Sequence, residues 1–265
     1  MTFGWQGFTL DHPDDWAPVT LTGSRSEGYV RVASPTRFSL QIRWQSSKSA
    51  PDLNSVLQTY FDRLRRDAKS AKRPFTGDSD EKAGFVQYRY TSGQFGRGVL
   101  LYSPSCSRTF FLEAISTKND SLLSISKKLL DSFKSTGVVE WERWALFGLD
   151  INLPYGLEVE KKVLQSGHTK VTFANKSARI EADRWGFAEQ LIAKHGLEPW
   201  ARSVMRFEDA EAEVTSDSVL FRSSGSLIRK PTIALARVQL DRNQITTLAV
   251  YSRSVKWKPD RDWFN

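Results

Sequence analysis

The chain has 265 residues, 40% of them hydrophobic and 26% charged, which is typical of a globular protein with one large domain or two ordinary ones. No run of about 18 apolar residues occurs, which excludes a transmembrane helix and predicts no membrane insertion. A single cysteine, Cys106, excludes an intrachain disulfide, and aspartates near the N-terminus interrupt any signal-peptide core. We therefore expect a cytoplasmic protein.

The charge of the chain is moderately basic. Lysine and arginine number 38 against 30 aspartates and glutamates, which gives a formal net charge of +8. Such a balance permits an anionic partner without requiring one, because electrostatic attraction depends on how the charges are clustered.

An internal repeat organises the sequence. The motif Trp-x-x-Phe-x-Leu-Asp begins at Trp5 and again at Trp144. In both copies a proline follows the motif. An alternating strand later ends on a tryptophan, which is Trp44 in the first copy and Trp185 in the second. Trp185 is one residue out of phase with the alternation of its strand. A helical pattern comes next each time. Two related units in tandem are therefore predicted, residues 1–137 and 138–265.

Hydrophobic periodicity predicts the elements of the first unit. Strict alternation from Phe38 to Trp44 indicates a half-buried strand, and hence an antiparallel sheet covered on one side. Apolar residues at helical spacing from Leu53 to Leu64 predict a core-facing helix. Strands are predicted at 85–91, 99–102 and 109–115, and a closing helix at about 120–133.

The second unit shows the same order with less regular spacing. Strands are predicted at 147–153, 157–164, 170–173, 178–184, 213–215, 219–222, 232–240 and 244–251, with a helix at 187–194. No clear closing helix follows, so another element must cover that face of the second sheet. The predicted class is α+β, with two related units that each have an antiparallel sheet and flanking helices.

This element order, together with the opening Gly-Phe-Thr-Leu-Asp-His-Pro-Asp-Asp-Trp from Gly7 to Trp16, resembles the PsbP/Mog1-like fold superfamily. The resemblance covers most of residues 1–137 and, less well, 140–252. It is a likeness of fold and carries over no residue role. It implies a binding or assembly subunit rather than a catalyst.

No motif predicts catalysis, a cofactor or a metal site. The three histidines, at positions 12, 168 and 195, are far apart and have no ligand partners at short spacing, so surface or capping roles are expected. Cys106 lies in a predicted hairpin turn outside any nucleophile motif. The glycines from Gly93 to Gly98 lie between strands rather than before a helix, which favours a hairpin loop over a phosphate loop.

The strongest electrostatic feature is a basic cluster at the end of the first predicted helix. Its members would share one helical face if the helix continued, opposite the apolar stripe: Arg65, Arg66, Lys69, Lys72 and Arg73. A solvated helix face is the simpler interpretation, and an anion-binding face is the alternative.

The sequence thus favours a non-catalytic binding or assembly protein. The macromolecule that it recognises is expected to be another protein. Nucleic-acid binding through the basic cluster is the first alternative. An enzyme ranks third, because no acid, base and nucleophile converge in the sequence.

Overall fold

The computed structural model describes residues 1–118, 122–223, 232–252 and 261–264. The chain divides into two compact units, Met1–Val139 and Glu140–Asn265. Each unit contains a seven-stranded antiparallel sheet.

The first unit consists of ten strands and two helices. In chain order they are β1 (Thr2–Trp5), β2 (Phe8–Asp11), β3 (Ala17–Gly23), β4 (Glu27–Ala33), β5 (Phe38–Ser46), α1 (Leu53–Ser70), β6 (Thr76–Lys82), β7 (Phe85–Thr91), β8 (Phe95–Ser103), β9 (Arg108–Ser116), α2 (Leu122–Ser132) and β10 (Lys134–Ser135). The large sheet has the order β3-β4-β5-β9-β8-β7-β6, so its last strand lies in the middle.

Both faces of this first sheet are covered. On one face α1 buries Leu57, Tyr60 and Phe61 against aromatic residues of the sheet. On the other face Phe8 of β2 contacts Trp44, with 5.3 Å between the ring centroids. The predicted start of the closing helix, at about residue 120, lies outside the described residues. Phe133, just after α2, packs on Phe110.

The described residues of the second unit form nine strands and two helices. They are β11 (Trp141–Leu146), β12 (Leu149–Pro154), β13 (Glu158–Gln165), β14 (His168–Ala174), β15 (Ala178–Gly186), α3 (Ala188–His195), α4 (Leu197–Met205), β16 (Glu211–Val214), β17 (Ser218–Ser223), β18 (Thr232–Gln239) and β19 (Gln244–Ser252), with short 3-10 turns at Leu240–Arg242 and Arg261–Trp263. The large sheet has the order β13-β14-β15-β19-β18-β17-β16.

The second sheet is also covered on both faces, and the hairpin of β11 and β12 takes the place of a closing helix. Helices α3 and α4 pack on one face, where Trp200 and Phe207 are buried. On the other face the hairpin of β11 and β12 places Trp144 against Phe173, with 4.8 Å between the ring centroids. Phe264 forms a β-bridge with Ile151 and so joins this cover.

The predicted α+β class is wrong, because antiparallel sheet dominates the fold. Strands contain 53% of the residues and helices only 20%. Strand β6 shows why the sequence underestimates the sheet. All seven residues from Thr76 to Lys82 are exposed and none has an apolar side chain, so the strand shows no alternation of apolar and polar residues. Short polar strands of this kind escape a search for apolar periodicity and make the sheet content look too small.

The two sheets nevertheless have the same strand order, and the hairpins that precede them match as well. Each of these hairpins closes with a two-residue type I′ turn in which both residues have positive φ: Gln6 (47°) and Gly7 (80°), then Phe147 (53°) and Gly148 (79°). Superposing these turns aligns Trp5 with Leu146 and Pro13 with Pro154. The sequence motif, which paired Trp5 with Trp144, is therefore two residues out of register.

A difference in turn length explains why the two tryptophan-ending strands are out of phase. Four residues, 34–37, join β4 to β5, but only three, 175–177, join β14 to β15. Since side chains alternate between the faces of a strand, the missing residue moves the second tryptophan to the opposite face. Trp44 accordingly contacts Phe8, whereas Trp185 packs on Trp200 of α4.

The glycines predicted to form a loop lie mostly inside strand β8. Gly96 and Gly98 are directly opposite Tyr90 and Tyr88 of β7. A Cβ atom at Gly96 would come within 2.2 Å of the Tyr90 ring, and one at Gly98 within 2.4 Å of the Tyr88 ring. These glycines therefore leave space for two buried tyrosine rings that lie across the neighbouring strand.

We expect Gly96→Ala to lower the free energy of unfolding by about 1–3 kcal/mol, because the added methyl group overlaps the Tyr90 ring. Urea denaturation will measure this loss. In a Tyr90→Ala background the loss should nearly vanish, whereas in a Tyr102→Ala background it should persist, since the three nearest atoms to the new Cβ all belong to Tyr90. An equal loss in all backgrounds would contradict this explanation.

Candidate functional site

The best candidate site is a cleft of about 460 Å³ on the α4 face of the second sheet, here called the histidine cleft. Strands β14, β15 and β19 form its floor, and the end of α4 forms one wall. Its lining residues are His168, Lys170, Glu181, Asp183, Trp185, Val204, Met205, Arg206, Thr247, Ala249 and Tyr251.

Strand alternation brings these side chains together. Within each strand the lining residues are two positions apart, as are His168 and Lys170 in β14, so they share one face of the sheet. Lys170 is directly opposite Asp183, and Asp183 is directly opposite Thr247. The hairpin of β14 and β15 thus converts separated sequence positions into one polar cluster.

A hydrogen-bonded pair and an ion pair cross the floor of the cleft. His168 Nε2 lies 2.7 Å from Asp183 Oδ1, and Lys170 Nζ lies 2.6 Å from Glu181 Oε2. Lys170 is also 3.8 Å from Asp183. Both carboxylates therefore have a basic partner within the cleft.

The two carboxylates differ in their pKa. Burial raises the pKa of Asp183, although the hydrogen bond from His168 and the charge of Lys170 oppose that effect. Burial also acts to raise the pKa of Glu181, but the hydrogen bonds and charges of Lys170 and Arg179 outweigh it, so the net pKa is lowered. Glu181 is thus the more firmly ionised of the two.

Aromatic stacking fixes the imidazole of His168. Its ring is stacked on Trp185, with 3.6 Å between the centroids and 14° between the planes. Trp185 in turn contacts Trp200 edge-on at 5.6 Å. The imidazole is therefore held by a carboxylate on one nitrogen and by an indole on its face.

Arg206 and Tyr251 of the lining make no hydrogen bond or ion pair through their side chains with any described residue. Arg206 is exposed and ends α4 in a left-handed conformation, with φ of 61°. Tyr251 lies on β19, where burial raises the pKa of its phenol. The cleft thus combines paired charges on its floor with a cation and a phenol that are available to a ligand.

The centre of the corresponding face of the first unit is covered. The 18-residue helix α1 packs there, and strand pairing places Glu113 of β9 where the second unit has Ala249. Glu113 is 2% exposed and accepts hydrogen bonds from Tyr60 (2.8 Å) and Tyr88 (3.1 Å). Burial raises its pKa despite these hydrogen bonds and the nearby charge of Arg43. The same location holds a sealed polar cluster in one unit and an open cleft in the other.

The predicted basic cluster does not form one helical face. All five of its residues are exposed, but α1 ends at Ser70, and Lys72 adopts a positive φ of 53° beyond it. Arg65 pairs with Asp62 at 2.6 Å, and the side chain of Arg73 lies against Gly93. Because the helix stops, Lys72 and Arg73 leave the row that Arg65, Arg66 and Lys69 begin.

The remaining sequence candidates lie outside the cleft, apart from one histidine. His12 is buried, with Nδ1 2.7 Å from the carbonyl oxygen of Pro13, and His195 ends α3. His168 begins β14. Cys106 lies in the turn between β8 and β9. Within the described ranges no group of three or more His, Cys, Asp or Glu side chains could hold a metal ion.

Sequence reasoning missed the cleft, although a signal for it was present. In an antiparallel hairpin, cross-strand neighbours have position numbers with a constant sum, and here His168 with Trp185 and Lys170 with Asp183 both give 353. The alternating charges of His-Thr-Lys and Glu-Ala-Asp around the Asn175 turn could therefore have indicated a polar cluster.

The raised pKa of Glu113 predicts a pH-dependent stability. The folded state binds this proton more tightly than the unfolded state, so the stabilisation is present at low pH and is lost as the pH rises through the folded pKa. Urea denaturation should show the free energy of unfolding of the wild type falling relative to Glu113→Gln as the pH rises from 4.5 towards neutrality.

A second variant tests the origin of this effect. Tyr60→Phe removes a hydrogen bond that lowers the pKa of Glu113, so the transition should move to higher pH. A constant difference between wild type and Glu113→Gln across the pH range would contradict the assignment.

Within the described residues no helix is both long enough and apolar enough to cross a membrane. The PsbP/Mog1-like resemblance stays a prediction. No family model matches the chain, and no curated protein matches it significantly in sequence.

Proposed function

We propose that this protein is a non-catalytic binding protein that recognises another protein, and that the histidine cleft is its recognition site. The observation that carries this proposal is the state of the charges in the cleft. Both carboxylates are already paired with His168 and Lys170, whereas Arg206 and Tyr251 have no side-chain partner among the described residues. The paired side chains stabilise the shape of the cleft, whereas the unpaired donors of Arg206 and Tyr251 can bind a ligand.

The composition of the cleft agrees with a recognition surface. Tryptophan, tyrosine, methionine and arginine are enriched at protein interfaces, and Trp185, Met205, Arg206 and Tyr251 all line this cleft.

A second groove in the same unit adds apolar surface. It has a volume of about 840 Å³ and is lined by side chains such as Ile192, Leu197, Val238 and Leu240, the last of which is 61% exposed. Asp217 and Arg237, 3.8 Å apart, belong to its charged lining. An apolar groove with charged residues around it is typical of surfaces that bind other proteins.

One observation favours an enzyme as a second candidate. The His168–Asp183 pair has the carboxylate–imidazole geometry that general bases use. The stack of the imidazole on the Trp185 indole weighs against it.

Site-specific photo-crosslinking tests the proposed function. Benzoylphenylalanine at Ser203, which is exposed on α4 next to the cleft, should give a discrete protein adduct in the native host. Adding Arg206→Glu should abolish the adduct, because it reverses the available charge. The same crosslinker at Thr59, exposed on α1, is the matched control and should give none. Equal adducts at both positions, or none at Ser203, would argue against the cleft.

Nucleic-acid binding remains the alternative, because Arg66 and Lys69 are exposed and have no ion-pair partner among the described residues. The broken basic row predicts only weak retention of DNA or RNA at low salt. Replacing Arg66, Lys69 and Arg73 by Gln should then change the salt dependence of affinity no more than a control with Lys161, Lys176 and Lys194 replaced.

Gel retardation across a salt series provides the measurement. Each lost contact with duplex DNA phosphate lowers the slope of log affinity against log salt by about 0.9. A slope that fell by about two or more only in the Arg66, Lys69 and Arg73 variant would favour the nucleic-acid alternative over the protein partner.

A further inference from the structure

We infer that the histidine cleft binds a carboxylate, carried by an acidic side chain of a partner protein segment. This inference rests on the proposed function and adds the chemistry of the ligand. Its basis is the balance of donors and acceptors that the cleft leaves unused.

Each carboxylate of the cleft already has a basic partner. Asp183 accepts from His168 at 2.7 Å, and Glu181 accepts from Lys170 at 2.6 Å. Arg179 approaches the other oxygen of Glu181 at 3.1 Å. A cationic ligand would have to displace these partners before it could bind a carboxylate.

The unused groups are mainly donors. The guanidinium of Arg206 and the hydroxyl of Tyr251 have no hydrogen-bond partner in the described part of the chain, and they are close enough for the arginine charge to act on the phenol. A guanidinium has donors and no acceptor, so these two groups favour a ligand rich in acceptor atoms.

A carboxylate fits this site better than a phosphate dianion. One guanidinium binds the two oxygens of a carboxylate in parallel, and the adjacent phenol can donate to a remaining lone pair. Glu181 and Asp183 on the floor would repel a second negative charge more strongly than a single one.

The walls indicate that the carboxylate comes from a side chain. Val204 and Met205 at the end of α4 supply apolar atoms beside Arg206, where the methylene groups of a glutamate could pack. A volume of about 460 Å³ holds one such side chain together with its flanking backbone. A small free acid would leave these apolar walls uncovered.

Methionine labelling gives a direct assay, because the chain has only two methionines, Met1 and Met205. The methyl-13C spectrum should contain two signals, and Met205→Leu assigns them. We expect the pentapeptide acetyl-Ala-Ala-Glu-Ala-Ala-amide to shift the Met205 signal saturably and to leave Met1 unchanged. The matched peptide with glutamine in place of glutamate should cause no saturable shift.

Further titrations separate the sources of the anion. Acetate should compete at least 10-fold more weakly than the glutamate peptide, and inorganic phosphate more weakly still. Arg206→Gln should weaken peptide binding at least 10-fold, whereas Arg66→Gln in the first unit should not alter it. Arg206 is exposed, so its replacement is compatible with folding, which urea denaturation of the variant will confirm.

Several results would overturn the inference: an equal response to the glutamine peptide, an unaltered affinity in Arg206→Gln, tighter binding of acetate or phosphate than of the peptide, or no Met205 response at all. These failures are distinguishable from failure of the proposed function. A specific crosslink at Ser203 without a carboxylate response would preserve protein recognition and reject the ligand class. A response to the carboxylate peptide without a crosslink at Ser203 would preserve the ligand class and reject protein recognition.

Discussion

Each large sheet depends on the pairing of its last strand with its third. Nine residue pairs join β5 to β9 in the first unit, and nine join β15 to β19 in the second. The strands on either side are local antiparallel meanders, so only the last strand connects them into one sheet. Because that strand lies in the middle, it is buried on both faces, and its side chains decide what each face contains.

The contrast between the two units follows from this central strand and from the helices above it. In the first unit β9 places Glu113 under α1, where tyrosine hydroxyls satisfy the carboxylate and the glycines of β8 make room for their rings. In the second unit β19 has Ala249 at that position, and two short helices replace one long helix. The same architecture therefore gives a rigid buried cluster in one case and an accessible polar cleft in the other.

The sequence predicts elements with strong apolar periodicity and misses those without it. The stripe from Leu53 to Leu64 forms α1, and the alternation from Phe38 to Trp44 forms β5. The exposed strand β6 has no such pattern, so the sheet content was underestimated. Helix length was overestimated at the basic cluster, because charged residues continue a helical pattern without showing where the backbone turns.

The candidate site was less predictable than the fold, for a physical reason. His168 and Asp183 are 15 positions apart and meet only because a three-residue turn sets the register of their hairpin. A change of one residue in that turn moves every side chain of one strand to the opposite face. The phase difference between Trp44 and Trp185 was visible in the sequence, but its consequence for the two faces required the strand pairing.

The central position of the last strand in each sheet also affects how two similar units in one chain avoid exchanging strands. Until its last strand arrives, each half-built sheet offers an open edge that strand β9 or β19 could join, and such exchange is a known failure of repeated domains. The two strands are not interchangeable. In the place of β9, β19 would leave the hydroxyls of Tyr60 and Tyr88 without the Glu113 carboxylate. In the place of β19, β9 would bring Glu113 opposite Glu181, so charge repulsion within a buried sheet disfavours a domain-swapped chain.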